Sequence, residues 1–259
     1  GDVFVGNAGD ISATANYSTY GINAYSRYGV VVGNQGSITA ASQYSNSRGI
    51  NAQSRYSDVL VQSSGDFDVS SVSGSATGIY AESIYGDVVV RSMSNMNVSA
   101  DDSSATGIYA QAFNGTSSVS NGGDLIVSGY SFAQGIRSDS KYGSYVGNSG
   151  DITVSSSYFA GGITATTDYN EALVINQGNV SVTSDNGFAE GINASSLLGN
   201  ANIYNAGDVN AQGYYGAVAI RASAPLADTN YDGRASVRNY GDLTAVTVYS
   251  GAYGIQVNS

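Results

Sequence analysis

The 259-residue chain contains no cysteine and no histidine, and its formal net charge is −11. Without cysteine there is no disulfide framework or thiol site, and without histidine the commonest general base and metal ligand is missing. The acidic charge excludes the basic surface on which nucleic-acid binding depends, so we expect no nucleic-acid partner. No apolar run is long enough to cross a membrane as a helix, so we expect no transmembrane segment. The chain starts with Gly1 rather than methionine, so we expect it to be processed or excised.

Two short motifs recur along the whole chain. The first reads Asn-x-Gly-Asp-Ile and starts at Asn7, and the second is the pair Gly21-Ile22. The pair returns at intervals of 27 to 29 residues, as Ala219-Ile220 in the eighth copy, and a longer interval of 35 residues precedes the last copy. Nine copies of both motifs in phase indicate a solenoid rather than a single globular core.

Each copy predicts three short strands in chain order. The first strand ends at the Asn and carries a β-branched column that starts with Val5 and Val32. The second strand follows the Gly and carries an apolar column that starts with Ile11 and Ile38. The third strand carries the Ile of Gly-Ile and, two residues later, a column of mostly Ala. Because a spacing of two is the period of a strand, these columns should face inward and form a continuous core.

The sequence therefore predicts an all-β solenoid of nine coils, with about 28 residues and three strands in each coil. We expect one domain over residues 1–259, with an insertion loop at 224–235 before the ninth copy. Only one proline occurs, Pro225, and it lies in that insertion, as expected if the strands tolerate none.

The Asn that closes the first strand shares the inward parity of the preceding Val. We predict that these side chains form an amide ladder from coil to coil, with separate Asx turns as the alternative. The predicted ladder comprises Asn7, Asn34, Asn121, Asn148, Asn176, Asn205 and Asn239.

Residues 21–38 read Gly-Ile-Asn-Ala-Tyr-Ser-Arg-Tyr-Gly-Val-Val-Val-Gly-Asn-Gln-Gly-Ser-Ile. This run resembles the repeats of autotransporter passenger regions and haemagglutinin-like exoproteins. The resemblance extends over nearly the whole chain. It implies a right-handed parallel β-helix that is secreted or displayed on the cell surface of a Gram-negative bacterium. It also implies a structural or adhesive role, because most such passengers are adhesins, matrix components or stalks.

One candidate metal site lies in the insertion. Asp228, Asn230 and Asp232, followed by Gly233, match the start of a calcium-binding loop, and calcium is the only cofactor that we predict. The position that should supply a bidentate Glu is Asn239, so the alternative is a solvent-exposed loop held by Asx turns.

Acidic residues form a further column directly after the corner Gly, as at Asp10, Asp66 and Asp124. Stacked carboxylates could recruit a cation, and the alternative is a row of turn-forming residues in water. Asp66 and Asp68 form the best carboxylate pair for glycoside hydrolysis, but we predict no catalytic site because no inserted loops build a cleft around them.

Tyrosines are the candidate contact residues. Tyr28, Tyr56 and Tyr85 recur seven residues after the Gly of each Gly-Ile pair, where they should pack at a corner or bind sugar rings. Tyr25, Tyr80 and Tyr109 should face outward from the third strand and could bind a glycan or a host surface.

We therefore predict a non-enzymatic extracellular structural or adhesive module. The ends lack polar caps, so the chain could assemble head to tail into fibres, or it could be a fragment of a longer passenger. The alternatives are a glycan-binding adhesin segment, which would contact a host or neighbouring cell surface, and a polysaccharide-cleaving enzyme.

Overall fold

The computed structural model describes residues 1–225 and 233–259. Over this range all regular structure is β-strand, from β1 to β27 in chain order. The strands follow one another in groups of three, and each group makes one coil, so β1–β3 form coil 1 and β25–β27 form coil 9. None of the described segments is a helix that is long and apolar enough to cross a membrane.

Equivalent strands of successive coils form three sheets, each with nine strands among the described residues. The first sheet contains β1 (Val3–Asn7), β4 (Val30–Asn34), β7 (Val59–Ser63), β10 (Val88–Ser92), β13 (Ser117–Asn121), β16 (Ser144–Asn148), β19 (Ala172–Asn176), β22 (Ala201–Asn205) and β25 (Ala235–Asn239). The second sheet contains β2 (Ile11–Ala15), β5 (Ile38–Ser42), β8 (Phe67–Ser71), β11 (Met96–Ala100), β14 (Leu125–Gly129), β17 (Ile152–Ser156), β20 (Val180–Ser184), β23 (Val209–Gly213) and β26 (Leu243–Thr247). The third sheet contains β3 (Thr19–Ser26), β6 (Ser47–Ser54), β9 (Ala76–Ser83), β12 (Ser104–Ala112), β15 (Phe132–Ser140), β18 (Phe159–Tyr169), β21 (Phe188–Leu198), β24 (Gly216–Ser223) and β27 (Ala252–Asn258).

All pairings between coils are parallel and follow the phase of the sequence repeat. Val61, for example, pairs with Val32 of the coil before and Val90 of the coil after. The predicted parallel solenoid of nine coils with three strands each is therefore confirmed. Strand β25 begins at Ala235, which is the last residue of the predicted insertion.

The core is one continuous cluster along the axis, in which the inward apolar columns of the three sheets meet. Ile38, Val61, Ile108 and Ala165 are fully buried, and the polar residues between them face solvent. Small Ala beside larger Ile and Val fills the narrow interior. Because no strand can bury its apolar face alone, the stacking of coils provides the main stabilisation.

Steric crowding explains the glycine of the Gly-Ile motif. A Cβ added to Gly107 would lie 2.6 Å from the carbonyl oxygen of Gly135 in the next coil. The same distance separates a Cβ at Gly78 from the Gly107 carbonyl oxygen. Each of these coils therefore rests directly on the backbone of its neighbour at this position, and a side chain there would force the two coils apart. Coil 8, which lies under the end coil, carries Ala219 at this position.

The two end coils are less buried than the coils between them. In coil 1 the inward residues Val5 and Ile11 are only partly buried, and in coil 9 Leu243 is also partly buried. Ile255 of coil 9 is 47% exposed, whereas Ile220, its partner in coil 8, is fully buried. The apolar columns thus reach both end faces.

Candidate contact surfaces and coil-connecting ladders

The predicted asparagines of the first corner are hydrogen-bonded to one another. In each step the Nδ2 of one Asn donates to the Oδ1 of the Asn in the next coil, for example from Asn148 to Asn176 at 2.8 Å. The same Nδ2 also donates to the carbonyl oxygen of the Gly two residues on, Gly150 in the case of Asn148. Both the ladder and the local turn are therefore present, because the two amide hydrogens serve different acceptors.

The ladder is interrupted in coils 3 and 4, where serines replace the asparagines. Asn34 donates to the Ser63 Oγ at 3.2 Å, and the Ser94 Oγ bonds to the same oxygen at 3.0 Å. On the other side of the gap, the buried Oδ1 of Asn121 has no hydrogen-bond partner among the described residues. The break therefore leaves one amide oxygen unsatisfied.

The acidic column after the corner Gly also connects coils. The Oδ1 of Asp124 accepts a hydrogen bond from the backbone N–H of Asp151 at 2.8 Å, and Asp151 accepts one from Asn179 at 2.8 Å. Asp10 and Asp208 accept in the same way from the next coil. The carboxylates therefore serve as backbone acceptors between coils.

The carboxylates of Asp66 and Asp68, the pair considered for glycoside hydrolysis, also accept hydrogen bonds from the next coil. Asp66 accepts from the backbone N–H of Asn95 at 3.1 Å, and Asp68 accepts from the Asn97 Nδ2 at 3.3 Å.

The predicted calcium ligands Asp228, Asn230 and Asp232 lie outside the described residues. Within the described ranges, no group of three or more His, Cys, Asp or Glu side chains is placed to hold a metal ion.

Tyr80 and Tyr109 are neighbours on the outer face of the third sheet. Their rings meet edge to face at 5.3 Å, and the Arg48 guanidinium lies 3.9 Å from the Tyr80 ring centroid. The Tyr80 hydroxyl donates to Glu82, and the Tyr109 hydroxyl donates to Gln111 at 2.8 Å. Burial raises the pKa of Tyr109 to about 12 and also raises that of Tyr80, which the bond to Glu82 raises further. Both side chains are thus held by neighbours rather than free.

Tyr25 does not belong to the same row. It pairs in register with Gln53, whereas Tyr80 pairs with Asn51, which places the two tyrosines in different columns of the sheet. Tyr25 is also in coil 1 and is exposed, while Tyr80 is in coil 3 and half-buried. The three predicted residues of this face therefore do not form one contiguous contact strip.

Tyrosines that are mostly exposed instead follow both edges of the third sheet, with Tyr169 and Tyr214 half-buried among them. At the corner toward the first sheet, Tyr28 is exposed, Tyr56 and Tyr85 stack at 5.7 Å, and Tyr142 and Tyr169 stack at 5.9 Å. At the corner toward the second sheet, pairs form between Tyr17 and Tyr44, Tyr130 and Tyr158, and Tyr214 and Tyr249. We call these the two tyrosine rows.

Coils 7 and 8 carry a buried ion pair on their outer face that no sequence pattern predicted. Glu190 is only 5% exposed, and its Oε1 lies 2.9 Å from the Arg221 Nη1. Burial raises the pKa of Glu190, and the Arg221 charge opposes that shift. Phe159 and Phe188, three residues before the Gly of their motifs, stack at 6.2 Å beside it. The equal spacing of these two phenylalanines from their motif glycines could have predicted that their rings stack. No pattern in the sequence indicates that Glu190 is buried.

No protein-family model, curated protein or solved structure matches the chain. The assignment of a function to these surfaces therefore rests on their geometry and chemistry.

Proposed function

We propose that the protein is a non-enzymatic structural and adhesive rod, exported to the surface of a Gram-negative bacterium, whose end coils stack on further coils. Its composition, low in charge and free of cysteine, and the resemblance of its repeats to passenger regions support export. The expected right-handed winding agrees with the rule that connections between parallel strands are almost always right-handed. The observation that carries the proposal is the match between the two end faces.

The donors and acceptors of the end coils complement each other. Along the ladder each Asn donates through Nδ2 to the coil that follows, so Asn239 presents Nδ2 to a tenth coil and Asn7 presents Oδ1 to a preceding one. Likewise Asp242 is placed to accept a backbone N–H from a following coil, as Asp208 accepts from Asp242 itself. A further coil with the same repeat would therefore continue both ladders without a break.

The apolar columns match as well. A coil added after coil 9 would cover Leu243, Ile255 and the other half-exposed inward residues of that end. If the added coil is coil 1 of a second copy, Ile11 and Val5 are covered in the same step. Such head-to-tail contacts do not close on themselves, and they would give filaments of uniform width.

Electron microscopy of three purified proteins tests stacking. We expect long filaments from the wild type and from Val246→Lys, which changes an outward residue of β26. Leu243→Lys changes an inward residue of the same strand and should leave single short rods. All three proteins should have the same circular dichroism. Short rods from the wild type would overturn end-to-end stacking and favour a segment of a longer chain.

A second candidate function is binding of a glycan or a cell surface through the tyrosine rows. Most tyrosines of the rows are exposed, whereas Tyr80 and Tyr109 are half-buried, so the rows are the better contact surface. Replacement of Tyr56 and Tyr85 by Ser should abolish binding to a glycan array or to bacterial cells. Replacement of Tyr80 and Tyr109 by Phe should leave binding unchanged. Equal binding by all variants would remove the row that contains Tyr56 and Tyr85 as the contact. Calcium binding at Asp228, Asn230 and Asp232 remains a prediction of the sequence.

A further inference from the structure

A groove of about 510 Å³ lies on the outer side of coils 1 to 4, between the first sheet and its corner to the second sheet. Its volume falls in the range of small-ligand sites. Gly6, Gly33, Gln62 and Arg91 follow one another in a single column, because each is the register partner of the next. The two glycines lie in the floor, and Gln62 and Arg91 continue the same column of lining residues.

The glycine floor has no steric cause in the fold. A Cβ at Gly6 would have no atom within 4 Å, and one at Gly33 would meet only a backbone oxygen at 3.9 Å. The Gly-Ile glycines differ, because a side chain there would collide with the next coil. Glycine at these two positions leaves the peptide backbone of the groove uncovered, which allows another molecule to approach it closely.

The groove walls carry hydrogen-bonding groups and one positive charge. Gln35 and Gln62 present exposed amides, and Met93 supplies an exposed apolar wall. Among the described residues, Arg91 has no carboxylate within ion-pair distance, whereas Arg137 and Arg221 each have one. The guanidinium is therefore available for a carboxylate from outside the chain.

These features identify the chemistry of the ligand. The backbone groups of β4 and β7 pair with the coils on both sides, so an extended peptide cannot add a strand between them on this face. A sugar ring can lie flat on the bare peptide floor and direct its hydroxyls at the two glutamines. We propose that the groove binds a short acidic oligosaccharide, with Arg91 contacting a uronic acid carboxylate.

Isothermal titration calorimetry tests the proposal. All variants are made in the Leu243→Lys background, which should give single rods, so that stacking does not affect the binding measurement. The probes are tetrasaccharides of glucuronic, galacturonic and mannuronic acid and their neutral counterparts. We expect Gly33→Val to weaken binding of an acidic probe at least tenfold because it fills the floor. Arg91→Gln should remove the preference for the acidic form over the neutral one.

Gly147→Val is the matched control, because Gly147 occupies the same column in coil 6 and a Cβ there also meets nothing within 4 Å. It should bind as the unmodified background does. Absence of binding to every acidic probe, or unchanged binding by Gly33→Val, would overturn the site. Equal affinity for acidic and neutral forms would overturn the role of Arg91. None of these results would contradict end-to-end stacking, which electron microscopy tests separately.

Discussion

At the scale of single residues, the corner asparagines link coils through their side chains. Asn148 accepts a hydrogen bond from Asn121 and donates to Asn176 and Gly150, all within 2.8 Å. Asn148→Ala would leave these buried groups without partners, and each such group costs about 1–3 kcal/mol. We therefore expect the free energy of unfolding, measured by urea denaturation, to fall by at least about 2 kcal/mol.

Asn97 provides the control for that variant. Its side chain is exposed on the outer face of the second sheet and bonds only to Asp68 among the described residues. Asn97→Ala should change stability by less than about 0.5 kcal/mol. If both variants lost the same stability, the ladder would contribute nothing beyond an ordinary surface contact.

Glu190 makes stability depend on pH. Burial raises its pKa in the folded state, so its contribution is largest below the unfolded value near 4.5 and is lost as pH rises through the folded pKa. Glu190→Gln removes this titration. Relative to the variant, the wild type should therefore gain stability as pH falls from 7 toward 4.5. Urea denaturation at several pH values measures the difference, and a constant difference would contradict the burial of the charge.

At the scale of a coil, the glycines of the third strand set how closely coils approach. Gly107→Ala places a Cβ 2.6 Å from the Gly135 carbonyl oxygen, so the coils must separate locally. Overpacking of this kind costs about 1–3 kcal/mol. Gly147→Ala, where the added Cβ has open space, should be neutral or slightly stabilising. Thermal denaturation of the two variants compares them, and equal melting temperatures would refute the steric role of Gly107.

The interrupted ladder in coils 3 and 4 can be repaired. Ser92→Asn together with Ser94→Gly restores the Asn-x-Gly corner and offers an amide donor to the unsatisfied Oδ1 of Asn121. We expect a gain of about 1 kcal/mol, the net value of one buried hydrogen bond. Ser92→Asn alone should gain less, because the Ser94 side chain occupies part of the same space. A loss of stability in the double variant would show that the serine corner is the better solution.

For the whole molecule, stability should vary along the axis because each coil contacts only its neighbours. Hydrogen exchange should be slowest in coils 3 to 7 and fastest in coils 1 and 9, each of which has one coil neighbour in this chain. If rods stack, protection of β1 and β27 should rise with protein concentration, whereas that of β13 should not. Protection that is independent of concentration at both ends would argue against stacking.

Much of this architecture could be predicted from the sequence because the tertiary contacts of a solenoid repeat its sequence. The Val, Ile and Ala columns identified the inward face of each strand, since side chains alternate with period two. The phase of the repeat then determined the register, because equivalent residues pair in successive coils. The inward parity of the corner asparagines placed their amides above one another, within hydrogen-bonding distance.

Only the tertiary structure decided how outward and corner side chains meet. Equal spacing from the motif glycine gives equal position in the sheet, but the ring contacts of outward side chains depend on which residues the neighbouring coils carry, as in the edge-to-face contact of Tyr80 with Tyr109. Tyr25 lies four residues after its motif glycine and Tyr80 lies two residues after its own, so the repeat itself already places them in different columns. Glu190 is buried although its strand position points outward, because its partners in register are Gly161 and Val218 and Arg221 covers it. The sequence alone determined the coil, and contacts between coils determined which surface groups are bonded, buried or free.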